Sequence, residues 1–307
     1  MTIQLTILGS SSAVPTKTRN TSAQFLHFLN HRLLIDCGEA AINTMVQLGL
    51  PFIQIDYIFI SHLHTDHILG LPGLLSSLAL KNRTKPLTIF SPQGLKELME
   101  PLIGSTDQLP YPLTWTIIET EQSRVILDEK LFTVENIPLF HRVPTTGYLF
   151  REKPKQPNLK KEAIAKYGLS IDQIKAAKMG LKVKDTHGQV IDSQELISEA
   201  PRPRSYAYCS DTMYEESVAE RVKGVSLLYH EATYLDELCD LAQARGHATA
   251  LEAARIAQQA GVGQLLLGHF STRYNDVGSF EQEAKTIFPN TQAVGDGFIF
   301  DVLNSLK

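Results

Sequence analysis

The sequence has few cysteines, and none of them lies close to another. Cys37, Cys209 and Cys239 are the only three in 307 residues, and no Cys-x-x-Cys motif occurs. An odd and scattered set of this kind excludes a disulfide framework and a structural zinc knuckle. Reduced thiols are typical of a cytoplasmic protein, which is the location that we predict.

Long apolar runs and an excess of positive charge are missing as well. No run approaches the ~20 apolar residues of a membrane span. Residues 1–9 alternate polar and apolar side chains and do not resemble a signal peptide. The formal net charge is -4, which argues against a surface that coats nucleic acid non-specifically. With 43% hydrophobic residues, the composition is that of an ordinary globular protein.

Short apolar strands alternate with helical segments over most of the chain. The pattern predicts strands such as 3–8 and 206–209, and a strong helix at 248–260. A helix is expected to run from the end of the histidine-rich stretch to about residue 80. Ser91-Pro92 is expected to open another helix, with the Ser hydroxyl as its cap. The alternation favours the α/β class, which some schemes would call α+β.

Metal-binding side chains are densest just after the apolar run 57–60. His62, His64, Asp66 and His67 fall within six residues there. Imidazole nitrogens suit zinc, and a carboxylate adds a harder oxygen ligand. His62 and His64 are two positions apart, so an extended backbone points both to one side. A solvated polar turn is the alternative, but such turns favour Gly, Asn and Ser.

Three later strands also end near residues that can bind metal. His141, Asp211 and His269 each follow a predicted strand, and sites in layered α/β folds collect at strand ends. Taken singly, each has an ordinary explanation, such as a helix cap for Asp211. Together the chain offers five His and two Asp, which is too many for one tetrahedral zinc. Two ions sharing a bridging carboxylate would use them all.

Residues 151–204 differ from the rest of the chain. They carry twelve Lys or Arg against seven Asp or Glu, a net charge of +5. Prolines lie near both ends of the segment. We predict a single domain over residues 1–307 with this segment inserted in it. Its charge is explained either by a solvated cationic surface or by an arm that binds a polyanion.

The motifs resemble those of the metallo-β-lactamase superfamily, whose HxHxDH signature matches residues 62–67. Within that superfamily the chain is similar to the ribonuclease Z family of tRNA 3′-end endonucleases, and the similarity runs nearly end to end. The matching stretches are the PxKxRN loop at 15–20, SHxHxDHxxGLPGLL at 61–75, and residues 210–212, 230–233 and 269–274. The resemblance implies a four-layer αβ/βα sandwich with residues 151–204 as an inserted basic arm.

The resemblance also implies two zinc ions per chain, with manganese as the other candidate. One zinc would bind His62, His64, His141 and Asp211, and the second Asp66, His67, Asp211 and His269, with Asp211 bridging. A homodimer is implied too, in which the arm of one subunit serves the other's active site. The family's arm carries a Gly-Pro motif that residues 167–173 lack, so the sequence leaves open how this arm binds tRNA.

The implied function is zinc-dependent removal of the 3′ trailer from precursor tRNA, leaving a 3′-hydroxyl on the tRNA and a 5′-phosphate on the trailer. We predict in-line attack by a metal-bridging hydroxide, since zinc lowers the pKa of bound water to about 7. Asp66 would orient that hydroxide and accept its proton. His247, backed by Glu231, is the candidate general acid. The alternative is that His247 only orients a metal ligand.

Four residues are predicted to contact the RNA. Arg273 would bind the phosphate, and Lys17, Arg19 and Asn20 would lie near the cleavage point, although composition alone makes residues 15–20 an exposed turn. One rival function is a small-molecule phosphodiesterase, thioesterase or lactonase of the same superfamily. Another is a non-catalytic RNA-binding relative. The basic segment and the loop argue against the first, and the seven ligands argue against the second.

Overall fold

The computed structural model describes residues 2–185 and 187–302. In chain order, the strands are β1 (Thr2–Gly9), β2 (Ala23–Leu29), β3 (His31–Cys37), β4 (Tyr57–Phe59), β5 (Leu87–Ser91), β6 (Leu113–Ile117), β7 (Val125–Asp128), β8 (Phe132–Leu139), β9 (Thr145–Glu152), β10 (Asn158–Leu159), β11 (Val183–Lys184), β12 (Val190–Ile191), β13 (Ile197–Ser198), β14 (Ser205–Cys209), β15 (Leu227–Glu231), β16 (Leu265–Gly268), β17 (Thr291–Ala293) and β18 (Ile299–Asp301).

The helices are α1 (Ala41–Gln47), α2 (Thr65–Ile68), α3 (Leu71–Leu80), α4 (Leu95–Ile103), α5 (Lys161–Tyr167), α6 (Ile171–Lys178), α7 (Ser193–Leu196), α8 (Glu216–Arg221), α9 (Cys239–Arg245), α10 (Ala250–Ala260) and α11 (Gly278–Lys285). Single 3-10 turns occupy Phe52–Gln54, Thr106–Gln108 and Asp236–Leu238. Within the described ranges, every helix falls short of the length and apolarity that crossing a bilayer requires.

The chain divides into two compact units. The larger contains the residues up to Arg151 and from Arg204 onward, and the smaller is Glu152–Pro203. Among the described residues, the larger unit forms two sheets of seven strands, ordered β18-β1-β2-β3-β4-β5-β6 and β17-β16-β15-β14-β9-β8-β7. Strands β3 to β6 run parallel in the first sheet, and β14 to β17 run parallel in the second. Parallel strands bring their carboxyl ends to one edge, where ligand sites form.

Three apolar clusters separate four layers of secondary structure in the larger unit. One cluster lies between the two sheets and contains Phe59 from the first and Tyr206 from the second. Another fills the space between the first sheet and helices α1, α3 and α4. The third lies between the second sheet and helices α8, α10 and α11. This helix–sheet–sheet–helix order confirms the predicted four-layer α/β sandwich.

The helix expected to run unbroken to about residue 80 is two helices, α2 and α3. Gly70 lies between them and donates its N–H to the Cys37 carbonyl at 2.8 Å. A Cβ atom on Gly70 would lie only 2.1 Å from the carbonyl oxygen of Gly38. The chain therefore approaches the end of β3 too closely for any residue larger than glycine at position 70. This contact joins segments that are distant in sequence, so local sequence does not predict the break between α2 and α3.

The helix expected to open at Ser91 begins at Leu95 instead, so that prediction is wrong. Ser91 is the last residue of β5, and its hydroxyl donates to the Pro92 carbonyl at 3.0 Å. The turn into α4 is made by Gly94, whose φ of 104° favours glycine. Pairing with β6 therefore places Ser91 in a strand, although its local sequence predicts a helix cap.

The smaller unit has an apolar core of its own. Its buried apolar residues are Ala163, Leu169, Ala177, Val183, Ile191 and Leu196. Helices α5, α6 and α7 and the strand pairs β10–β13 and β11–β12 surround it. Ser170 and Gln173 form a capping box that begins α6. Exposed lysines cover this unit, namely Lys155, Lys160, Lys161, Lys166, Lys175, Lys182 and Lys184.

Candidate metal centre

Strand ends bring the predicted ligands together. Asp211 and His269 follow β14 and β16, and the register sets Cys209 opposite His230 and Glu231 opposite Gly268. The residues just beyond these strands are therefore neighbours. Two groups made of the predicted ligands have all their ligand atoms within 4.8 Å of one another, His62 with His64, His141 and Asp211, and Asp66 with His67 and His269. A third group, Asp211 with His247 and His269, meets the same criterion. The seven predicted residues, without His247, are called the metal-ligand cluster.

Asp211 stands between the two groups. Its Oδ2 lies 3.6 Å from Nε2 of His62 and 3.9 Å from Nε2 of His141. Its Oδ1 lies 3.3 Å from Nε2 of His67 and 3.1 Å from Nε2 of His269. Each carboxylate oxygen thus faces a different pair of imidazoles, which is the arrangement needed to share one carboxylate between two ions.

Three imidazole nitrogens in the cluster have no hydrogen-bond partner in the described part of the chain, and this indicates whether the site suits a metal ion. The Nε2 atoms of His67, His141 and His269 are buried, and none of them makes a hydrogen bond within the described residues. Buried polar atoms in proteins are nearly always paired. Imidazole nitrogens facing a common carboxylate are ligands for divalent transition metals. The cluster therefore suits divalent metal ions.

Charge in the cluster depends on burial and on the mixture of His and Asp. Burial lowers the pKa of His62, His64 and His141, so that these rings are neutral and free to donate to a metal. Burial acts in the same direction on His67, but the carboxylates around it, Asp211 first, raise its pKa well above the ordinary value. A metal ion must therefore displace a proton from His67 when it binds.

Asp36 holds one ligand in place, and the sequence interpretation did not identify it. This buried carboxylate accepts hydrogen bonds from the Ser61 N–H at 2.7 Å, the Ser61 hydroxyl at 2.8 Å and the Tyr208 hydroxyl at 2.7 Å. Its Oδ2 also lies 2.8 Å from Nδ1 of His67. These contacts fix the ring so that Nε2 faces the cluster. The available signal was its position near the end of strand β3, since Asp211 likewise lies near the end of a strand.

Two further ligands are oriented from their Nδ1 side. His141 donates to the carbonyl of Gly246 at 2.6 Å, and Nδ1 of His269 lies 3.0 Å from the hydroxyl of Thr233. Gly246 has φ 75°, and a Cβ there would lie 2.8 Å from Nδ1 of His141. Glycine is therefore required for this approach.

Backbone strain is concentrated around the cluster. Asp36, Asp211 and His269 have φ values of 54°, 54° and 60°, a left-handed conformation that costs a non-glycine residue about 1–3 kcal/mol. Such residues persist where the surrounding structure holds them, and they gather at functional sites. Here Asp211 and His269 face each other within the cluster, and Asp36 contacts the outer nitrogen of His67.

His247 and Glu231 form a buried pair beside the cluster. Nδ1 of His247 lies 2.9 Å from Oε1 of Glu231, which also accepts the Thr212 N–H at 2.7 Å. Burial lowers the pKa of His247, but the Glu231 carboxylate outweighs it and raises the pKa to about 9. The ring centroid of His247 is 5.1 Å from that of His141. A cationic imidazole therefore borders the metal ligands.

The loop at 15–20 divides its polar residues between the interior and the surface. Arg19 is only 6% exposed, and its Nη2 donates to the carbonyl of Tyr274 at 2.8 Å. Asn20 donates its side-chain amide to the Thr44 hydroxyl at 3.1 Å. Lys17 is exposed. The structure therefore uses Arg19 and Asn20 to hold the loop and leaves Lys17 available to a ligand.

Arg273 is exposed on the neighbouring loop. Lys17 and Arg19 line a cavity of about 470 Å³ together with Thr272 and Asn275, which flank that arginine. The loop is tied to the cluster at its other end, where the Ala13 N–H donates to Oδ2 of Asp66 at 2.8 Å. Exposed cations and metal ligands are thus joined through one short segment.

Comparison with known proteins gives relatives over the whole chain. A protein named ribonuclease Z from Cytophaga hutchinsonii is 45% identical over 309 residues, covering 100% of this chain and 98% of the relative. The sequence family described as Anti-Pycsar protein Apyc1 matches residues 3–115.

Solved structures share the fold. The short form of human tRNase Z superimposes with a TM-score of 0.70 at 23% identity, covering 98% of this chain and 99% of that one. The metallo-β-lactamase fold protein YhfI from Bacillus subtilis gives 0.68 at 21% identity, with 98% and 100% covered. At these identities the likeness concerns the architecture alone.

Proposed function

The chain belongs to the ribonuclease Z family of endoribonucleases, and from that premise we propose that it removes the 3′ trailer from precursor tRNAs. The observation that carries this proposal is the 45% identity, over 98% of its length, to a relative of that name. The tRNA would keep a 3′-hydroxyl, and the trailer would carry a 5′-phosphate. The metal-ligand cluster is the site that we assign to this reaction.

We propose two zinc ions per chain, with manganese as the other candidate. His62, His64 and His141 would hold one ion, and Asp66, His67 and His269 the other, with Asp211 shared. The division is supported by the two oxygens of Asp211, each of which faces a separate pair of imidazoles. When bound, such ions lower the pKa of water towards 7 and neutralise charge on phosphate oxygens.

Asp66 is proposed to orient the attacking water and to accept its proton. Burial opposes ionisation of this carboxylate, but His67 and His269 outweigh burial and lower its pKa far below the ordinary value. The Ala13 N–H fixes its Oδ2 at 2.8 Å. Because the Ala13 N–H holds this carboxylate in place, we assign the larger part of its effect to orientation.

His247 is proposed to donate a proton to the leaving 3′-oxygen. Its raised pKa keeps the ring cationic at neutral pH, and the buried Glu231 stabilises that charge. The same pair would also position the neighbouring ligands if His247 transferred no proton. Lys17 and Arg273, both exposed, are proposed to bind RNA phosphates, because such contacts set the register of the substrate. Arg19 and Asn20 would support them from within the loop.

The smaller unit is proposed to act as a basic arm, inserted in a single domain, that grips the backbone of tRNA. Its segment has a net charge of +5, and electrostatic contacts to a folded RNA need no base sequence. We also propose a homodimer in which each arm serves the partner's site. Exposed apolar side chains near α1 to α3, such as Val46, Leu69 and Leu80, support an interface on that face. The free thiols support a cytoplasmic location.

The deciding experiment offers the zinc-loaded protein precursor tRNAs with a 3′ trailer, with and without an encoded CCA, and maps the product ends. Methyl p-nitrophenyl phosphate, a small diester, is the parallel substrate. Cleavage at the 3′ end of the tRNA body is expected. Hydrolysis of the small diester with every precursor intact would instead indicate a small-molecule phosphodiesterase. Precursor binding with neither substrate hydrolysed would indicate a non-catalytic RNA-binding protein.

A further inference from the structure

One aromatic side chain next to the metal-ligand cluster has no role in the reaction described so far. All thirteen phenylalanines lie in the described ranges, and Phe140 alone among them is exposed, at 39%. It directly precedes the ligand His141. An aromatic ring in that position offers an apolar face on which a planar ligand can stack.

Phe140 lines a cavity of about 480 Å³. His141 and Met213 belong to the same lining, and Thr120 and Glu121 contribute its polar groups. This volume is in the range of small-ligand pockets. The side chain of His141 is only 1% exposed, so the cavity borders the chain segment that carries this residue and not its imidazole ring.

The wall that carries Phe140 is held to the loop that carries Asp211. The Phe140 N–H donates to the Thr212 hydroxyl at 3.1 Å, and the Met213 N–H donates to the Phe140 carbonyl at 2.8 Å. The backbone beneath Phe140 is thus tied to the strained segment that presents Asp211. Phe140 therefore stands on a backbone segment that is fixed to the loop of Asp211.

The trough continues away from the cluster. A second cavity of about 310 Å³ shares Thr120, Glu121 and Pro144 with the first, and it extends to Gln93 and Ile117. Glu121 lines both cavities and Arg142 lines the first, so the lining offers both an acceptor and a donor to the edge of a base. Carboxylate and hydroxyl groups accept hydrogen bonds from the exocyclic amino groups of bases.

We propose that this cavity binds a nucleobase adjacent to the scissile phosphate, with its face stacked on Phe140 and its edge against Met213. The assignment rests on the proposed tRNA cleavage and adds the group that positions the flanking nucleotide. Aromatic stacking is the usual means by which proteins hold unpaired bases, and it tolerates any base sequence.

The experiment removes the Phe140 ring and one base of the substrate, separately and together, and measures kcat/KM. Wild type, Phe140→Ala and Phe140→Trp are assayed on a precursor tRNA and on two versions that are abasic immediately 5′ or immediately 3′ of the cleavage point. Ile53→Ala is the matched control, because Ile53 is 38% exposed and lies in the turn Phe52–Gln54. Methyl p-nitrophenyl phosphate reports on the reaction without any base.

We expect Phe140→Ala to lower kcat/KM on the intact precursor about 5- to 100-fold, while Phe140→Trp and Ile53→Ala stay within twofold of wild type. On one of the abasic precursors, wild type and Phe140→Ala should be equally slow. Hydrolysis of the small diester should be unchanged by all three substitutions.

Two results would overturn the subsite alone, with cleavage by wild type intact. One is an unaltered kcat/KM for Phe140→Ala on the precursor. The other is an equal loss on the intact precursor, both abasic precursors and the small diester, which would show that Phe140 only supports the loop at Thr212. If wild type hydrolyses the diester but no precursor, the tRNA assignment itself fails and the subsite with it.

Discussion

The buried carboxylate of Glu231 lies 2.9 Å from Nδ1 of His247 and holds a protonated imidazole at the edge of the metal-ligand cluster. Because Glu231 raises the pKa of His247 to about 9, the acid form predominates below that pH and is lost above it. Bound cations repel the imidazolium and shift this limit downward.

If His247 is the proton donor, kcat must therefore fall as pH rises through the pKa of His247, which bound cations place below about 9. His247→Gln should lower kcat about 10²- to 10⁴-fold and abolish that alkaline limb. The measurement is kcat against pH for both proteins on precursor tRNA. A variant that is slower but keeps the same alkaline limb would show that His247 only positions its neighbours.

Asp211 is expected to be indispensable for metal retention, since its two oxygens face separate pairs of imidazoles. Asp211→Asn keeps the side-chain volume but removes the charge, so we expect the loss of at least one ion per chain and a fall in activity of more than about 10³-fold. Metal content is measured on purified protein after dialysis. Asp56→Asn is the matched control, because Asp56 is also buried but pairs with Lys85 instead of the cluster. Equal metal content in both variants would contradict a shared carboxylate.

Asp36 should tune metal affinity without binding metal itself. Asp36→Asn weakens the contact to Nδ1 of His67, and loss of such an orienting partner costs about 10- to 100-fold in metal affinity. Competition with a chelator measures this. Tyr208→Phe removes only one of the hydrogen bonds that Asp36 accepts and should give a smaller loss. An affinity equal to wild type in Asp36→Asn would exclude the orienting role.

Arg19 and Lys17 should respond differently although both belong to the same loop. Arg19→Ala removes a buried guanidinium that donates to the carbonyls of Ser271 and Tyr274, and we expect about 1–3 kcal/mol of destabilisation. Lys17→Ala should leave the free energy of unfolding unchanged and raise KM for precursor tRNA. Denaturant unfolding and steady-state kinetics separate the two effects. This assignment would be wrong if Lys17→Ala lowered the free energy of unfolding and Arg19→Ala left it unchanged.

The smaller unit should matter for tRNA and not for a small diester. Replacing residues 153–200 by a short Gly-Ser linker removes most of the +5 segment, so tRNA binding should weaken and its dependence on salt should become shallower. Hydrolysis of methyl p-nitrophenyl phosphate is the internal control. Equal losses on both substrates would mean that the unit supports the fold instead of binding RNA.

Local sequence was sufficient where local chemistry decides the outcome. The spacing of His62 and His64 and the position of His269 after a buried strand predict metal ligands, and each of these residues belongs to a group that the structure brings together. Helix α10 was predictable in the same way from its alanine-rich sequence, and the structure adds a capping box between Thr249 and Glu252 at its start. None of these features needs a partner from a distant part of the chain.

Other features were out of reach because their causes are distant in sequence. Gly70 interrupts a helix only because the carbonyl of Gly38 lies against it. The local sequence of Arg19 indicates a surface cation, but its guanidinium donates a hydrogen bond to the carbonyl of Ser271, which is 252 positions away. Ser91 had the chemistry of a cap, but pairing within the sheet took it into β5.

The sequence by itself determined which side chains are available as ligands and the alternation of strands and helices, because residue chemistry and periodicity are local properties. Only the tertiary structure decided which imidazole nitrogens stay unpaired, which cations are buried, that Asp36 holds His67, and that Phe140 is left exposed. Those outcomes depend on hydrogen bonds and close contacts between segments that the fold, and not the chain order, makes neighbours.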